Sequence, residues 1–182
     1  DISISSSLLF SFIYSSYIVN KFIVDSVENR LFFNINVKPN GNIVFITICF
    51  ITLLSSSAIF YFISSSLSIF FIHKGSGDIF IRSLLFHVTG FYSAVIFSSI
   101  IVPLTAFFRS QNCLLINAFI FIILNVIDFV PFNIKNLSYG DGLFLEIYPT
   151  ASYFLLESLY FFILMAFVFF LSLSIFASKE LG

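Results

Sequence analysis

The sequence predicts an all-α integral membrane protein of about five to six helices. Three observations carry that expectation. Hydrophobic residues make up 59% of the 182-residue chain and charged residues 9%, against the roughly 25% charged of a soluble domain. Uninterrupted apolar runs long enough to cross a bilayer recur along the chain. None of them shows the period-two alternation of a membrane β-barrel.

The elements follow from these runs, and one membrane domain over 1–182 accounts for all of them. Residues 8–24 form a first apolar segment, interrupted by Asn20 and Lys21. Residues 25–42 are a polar connection with Glu28, Arg30, Lys38 and a Pro39-Asn40-Gly41 turn, and a short amphipathic piece fits around Val27 to Ile35. Residues 43–72 carry no charge at all. As a helix rising about 1.5 Å per residue they exceed a ~30 Å hydrocarbon core, so they must tilt or protrude. His73 to Asp78 has helix-stop and helix-start character. Residues 79–130 form a helix or helices, with Arg82, His87, Pro103, Arg109, Asn117, Asn125 and Asp128 along them. A second polar turn spans Pro131 to Gly142, and residues 148–177 make a last helix whose one charge is Glu157.

Several classes of function are excluded on chemistry. A net charge of -1 offers no surface for nucleic acid. Cys49 and Cys113 are isolated thiols, neither a metal motif nor a disulfide framework. With two His and no Gly-rich phosphate loop, no metal, cofactor or nucleotide site is expected. The 29 Phe, abundant Ile and Ser and absent Trp suit a T-rich coding strand of an organellar or reduced genome. The chain begins at Asp1 and not at Met, so residues are expected to precede it.

The functional question turns on Arg109. It stands in Pro103-Leu-Thr-Ala-Phe-Phe-Arg109-Ser-Gln-Asn-Cys113, apolar on both sides. Hydropathy reads Arg109 to Asn112 as a short loop between two membrane helices. The other reading is a cation held at membrane depth, where ionisable groups mark ion or proton paths. In a continuous helix turning about 100° per residue, Asn117 and Asp128 share a face. Glu157 heads a similar face of the last helix, with Tyr153 and Tyr160 a turn away on either side. A fixed cation, carboxylates and a polar stripe are the parts a proton path needs. For Asp128 an interfacial role, and for His87 a hydrogen-bonded interior role, are the plainer readings.

At these residues the chain resembles the a subunit of F-type ATP synthases, the proton-channel stator beside the rotating c-ring. Ser98, Pro103-Leu104 and Arg109 stand at the offsets of that family's penultimate helix, and Asn112 is one place short of its following Asn. Met165-Ala166-Phe167-Val168-Phe169 through Phe176 is similar to its last helix. Glu157 stands one place off the family's acidic or His position there. The resemblance covers about Phe91 to Gly182. Met165 replaces the family's Gln, Ala118 its acidic or His partner, and Val95 its Glu.

What the resemblance implies is specific. The fold would end in a C-terminal hairpin of two long tilted helices, with Arg109 inside one of them. The chain would be a non-catalytic, proton-translocating subunit of an ATP synthase in the mitochondrial inner membrane. It would form two aqueous half-channels against the c-ring, beside other membrane-sector subunits and lipids. Proton transfer would involve Arg109, Glu157, Asn117, Asp128 and Asn112. The alternative is a structural or anchor subunit of a respiratory-chain complex without direct proton transfer. Ser83 to Gly90 is similar, with its His displaced by one, to a stretch of succinate dehydrogenase membrane anchors. No internal repeat supports a transporter.

Overall fold

A computed structural model describes residues 2–29, 40–72, 77–126 and 151–178. Apart from turn residues, everything described is helical. The helices are α1 (Ile2–Glu28), α2 (Gly41–Ile72), α3 (Gly77–Ser99), α4 (Ile101–Phe108), α5 (Cys113–Val126) and α6 (Ala151–Ser178). Four stretches are long and apolar enough to cross a membrane: Ser7–Glu28, Gly41–Ser66, His87–Phe108 and Ser158–Ser178. The expected all-helical fold with membrane-length segments is therefore observed. α1 outruns its apolar segment 8–24 at both ends, because backbone hydrogen bonding continues where the side chains turn polar. Most of the 25–42 connection, Asp128 and the Pro131–Gly142 turn lie outside the described residues.

Serine is abundant in these helices, although it competes with the backbone elsewhere. Here its hydroxyl is turned back onto its own helix. Ser64, Ser93, Ser98, Ser99 and Ser172 each donate to a carbonyl three or four residues earlier, at 2.7–3.2 Å. Each hydroxyl is thereby satisfied without water, as an apolar solvent requires.

Packing fixes the direction of every helix. α1 and α2 run antiparallel: Phe22 stacks on Phe45 near one end, and Tyr14 on Phe60 further along. Near the second pair, Ser11 Oγ donates to the Ser57 carbonyl at 3.0 Å. The row Ser7, Ser11, Ser15 is fully buried, and its small side chains let two helices approach closely. Tyr61 of α2 meets His87 and Phe91 of α3. Tyr92 of α3 stacks on Phe161 of α6, with ring centroids 4.4 Å apart. Phe50 and Phe45 meet Phe169 and Phe176 further along α6. Phe121 of α5 touches both Phe12 and Phe97. The C-terminus of α1, the N-terminus of α2, the α4–α5 turn and the C-terminus of α6 therefore share one end of the bundle.

The helices are not equally enclosed. Within their apolar spans, 61% of residues are buried in α3–α4 and 56% in α1, but 22% in α6. α1 and α3–α4 form the centre, and α6 lies outermost.

One expectation needs correction. The resemblance to an ATP synthase a subunit implies a long helix running through Arg109. The backbone instead ends α4 at Phe108 and begins α5 at Cys113. Arg109 takes a left-handed conformation, φ 50° and ψ 38°, and its N–H closes on the Thr105 carbonyl at 2.8 Å. A residue with positive φ cannot continue a right-handed helix. The penultimate element of the expected hairpin is thus broken in two, as the hydropathy reading had it.

Candidate functional site at the α4–α5 turn

The site begins with Pro103. Proline has no N–H to donate to the Ser99 carbonyl four residues before it, so the ladder loses that bond, while the Leu104 N–H still reaches the Ile100 carbonyl at 3.3 Å. The helix divides there into α3 and α4, and the Ile100 backbone stays in the right-handed helical region. α4 is eight residues long and stops at the Arg109 C-cap. Asn112 then opens α5. Its N–H donates to Ser110 Oγ at 3.2 Å, and its carbonyl accepts from the N–H groups of Leu115 and Ile116.

Two asparagines tie this hairpin to α1. Asn20 is buried and fully used: Thr105 Oγ1 donates to its Oδ1 at 2.8 Å, and its Nδ2 donates to the Gln111 carbonyl at 3.1 Å. Asn117, on α5, is 1% exposed. Its Nδ2 donates to Ser16 Oγ at 3.2 Å and to the Phe97 carbonyl at 3.4 Å. Its Oδ1 is buried without a hydrogen-bond partner. The Cys113 thiol points at the Leu104 carbonyl, 3.5 Å away.

Those bonds set depth. The span His87–Phe108 is centred near Phe97, and Ser7–Glu28 near Ser16. Asn117 bonds to both of those residues, so it lies at mid-span. Arg109 lies 12 residues beyond Phe97 along the helix. At 1.5 Å per residue that is roughly 18 Å, against a half-thickness of about 15 Å for a hydrocarbon core. Arg109 stands at the rim, exposed, between exposed Phe107 and Phe108 and the exposed amides Gln111 and Asn112. No hydrogen bond or ion pair joins its guanidinium to another described residue.

The expected proton-transfer residues therefore do not assemble. Asn117 is deep, while Arg109 and Asn112 are at the rim. Glu157 lies on the second turn of α6, toward the opposite end of the bundle. Asp128 lies outside the described residues. Buried polar side chains among those described are Ser, Thr, Asn and His87, and the side chains of Arg82 and Glu157 lie outside the described ones. His87 is enclosed, its Nδ1 3.5 Å from the Tyr61 hydroxyl, which suits an interior hydrogen-bonded role. Met165 is half-buried against the apolar core. Among the described residues no cluster of His, Cys, Asp or Glu could hold a metal.

Sequence reading passed over Asn20, Thr105 and Ser16 as site residues. Asn20 did interrupt an apolar run, which was the available signal. Thr105 carried none, since its position against α1 is a tertiary fact.

Fold and site together define a class: a helical bundle of membrane-spanning dimensions, pinned inside by amides and hydroxyls, with its described charges at the ends. No protein-family model, no curated protein and no solved structure matches the chain.

Proposed function

We propose that this chain is a non-catalytic structural subunit that anchors neighbouring proteins in a membrane complex. The carrying observation is the interior itself. Among the side chains whose burial is described, the buried polar groups are hydroxyls, amides and the His87 imidazole, and the cation expected at depth, Arg109, is at the rim. Such hydroxyl and amide contacts join helices. The outlying α6, with Phe162, Phe167 and Phe170 exposed, is the face on which neighbouring helices would pack.

A second reading is the proton-channel stator of a mitochondrial ATP synthase. It is favoured by the spacing of Ser98, Pro103-Leu104 and Arg109, and by the amides Asn20 and Asn117 close to that segment. It needs Arg109 to face the carboxylates of a c-ring from within the membrane.

One substitution separates the two readings. Arg109→Ala is introduced in the protein's own host, and ATP synthesis and complex assembly on native gels are measured together. The structural reading expects both to stay near the parent level. An assembled complex that has lost proton-driven ATP synthesis would overturn it in favour of the stator.

A further inference from the structure

The charge at the rim has a chemistry of its own. Arg109 is exposed at the boundary of the apolar span and has no partner among the described residues. Lys21 is exposed as well, one residue past Asn20, whose bonds to Thr105 and Gln111 bring α1 and the turn to the same level. Two cations thus stand at one height. Among the described residues, the carboxylates at this end, Asp25 and Glu28, lie about one and two helical turns further out along α1. Immediately below Arg109 the Phe107 and Phe108 rings lie edge to face, 4.9 Å between centroids, and both are more than half exposed.

We propose that Arg109, with Lys21 and the Phe107–Phe108 pair, is a binding site for an anionic phospholipid of the leaflet at this end. The arrangement matches the amphiphile in order of depth. Aromatic rings meet the acyl chains at the edge of the hydrocarbon. The guanidinium lies above them, at the height of the glycerophosphate, and its fork pairs two phosphate oxygens at once. Lys21 adds a second positive charge, which favours a net-negative headgroup over a zwitterionic one. The amides of Gln111 and Asn112 are exposed beside it and can bond the headgroup. The left-handed backbone at Arg109 directs the chain out of the helix here, so the cation ends α4 and is not enclosed by it. The inference rests on the membrane-spanning character of the bundle and not on which complex the chain joins.

The chain has no Trp, so Phe108→Trp gives a single fluorescent reporter beside the site. The full chain carrying it is reconstituted in phosphatidylcholine vesicles. Quenching by bromine-labelled phosphatidylglycerol is compared with quenching by bromine-labelled phosphatidylcholine. The expected result is a preference for phosphatidylglycerol of about fivefold or more in relative association constant, from about one basic residue's attraction upward. Arg109→Gln should bring the ratio close to one, Lys21→Gln should lower it partly, and Arg109→Lys should retain most of it. Helicity by circular dichroism checks that each variant is folded. If Arg109→Gln does not fold, raising salt on the parent must erode the preference. Equal quenching by the two lipids, or a preference that survives Arg109→Gln in a folded protein, would overturn the proposal. So would a reporter that neither lipid quenches, since a protein surface would then cover the turn.

Discussion

Arg109 is a non-glycine residue in left-handed backbone, a conformation that costs an L-residue about 1–2 kcal/mol. That strain makes a pair of substitutions diagnostic. At a left-handed C-cap, Arg109→Gly should exceed Arg109→Ala in stability by about 1 kcal/mol, because glycine has no Cβ to crowd the next carbonyl. Inside a continuous helix the order reverses by a similar amount. Denaturant unfolding of both variants in detergent reads the sign directly, and Ala above Gly would reject the turn. The two asparagines invite a second comparison. Asn20 satisfies donor and acceptor on both sides, whereas Asn117 carries an unpaired oxygen. Asn20→Leu strands the Thr105 hydroxyl and the Gln111 carbonyl and should cost about 1–2 kcal/mol. Asn117→Leu removes an unsatisfied acceptor along with its bonds, so its cost should be smaller, below about 1 kcal/mol. The same unfolding assay measures both, and equal costs would contradict the bonding described. Residue identity was legible beforehand, for Arg109 and Asn117 were both singled out. Their depths were not, because depth depends on which helices they meet.

At the scale of elements, the α1–α2 pair combines ring stacks with a small polar row, whereas α6 is held chiefly by rings. α1 meets α2 along Ser7, Ser11 and Ser15, all buried. α6 meets α2 and α3 through Phe161, Phe169 and Phe176. A bulky side chain on the serine row must push two close-packed helices apart. Ser11→Leu should therefore destabilise the protein by about 2 kcal/mol. Ser55→Leu, on an exposed position of α2, should stay within about 0.5 kcal/mol. Loss of helicity against denaturant compares them, and a neutral Ser11→Leu would show that the row is not a tight interface. The apolar runs predicted these helices well, since each run is long and helix is the open-ended way to satisfy a backbone in lipid. They could not place the break at Arg109. Ser-Gln-Asn after Arg109 is compatible with a turn or with a polar helical face, and hydropathy alone does not choose between them.

Across the whole molecule, α1, α2, α3–α4 and α6 are the described spans between the two ends, α4 extending α3. α1 starts at the end opposite the Arg109 turn, and α6 finishes at the turn's end. Among the described residues, Lys21 and Arg109 belong to the turn's end and Arg82 to the other. Two described cations at the turn's end against one at the other favour the turn's end on the side that retains Lys and Arg. Epitope tags at the two termini of the chain, tested by protease in sealed vesicles, should lie on opposite faces. Both tags protected, or both cut, would refute this placement of the two ends. Read along the sequence, the basic residues look evenly spread. The asymmetry emerges once the pairing of helices assigns Arg109 and Arg82 to opposite ends.

Composition and apolar run length by themselves determined that this is a helical protein of membrane-spanning segments. Burial of apolar residues and internal satisfaction of the backbone leave no other solution for such a chain. The tertiary structure alone decided which polar groups are deep and which are at the rim. Asn117 reaches mid-span through Ser16, a residue 101 positions away, and Arg109 is set outward by one left-handed residue. Long-range contacts and a single backbone dihedral are local in space but not in sequence, so no pattern along the chain records them.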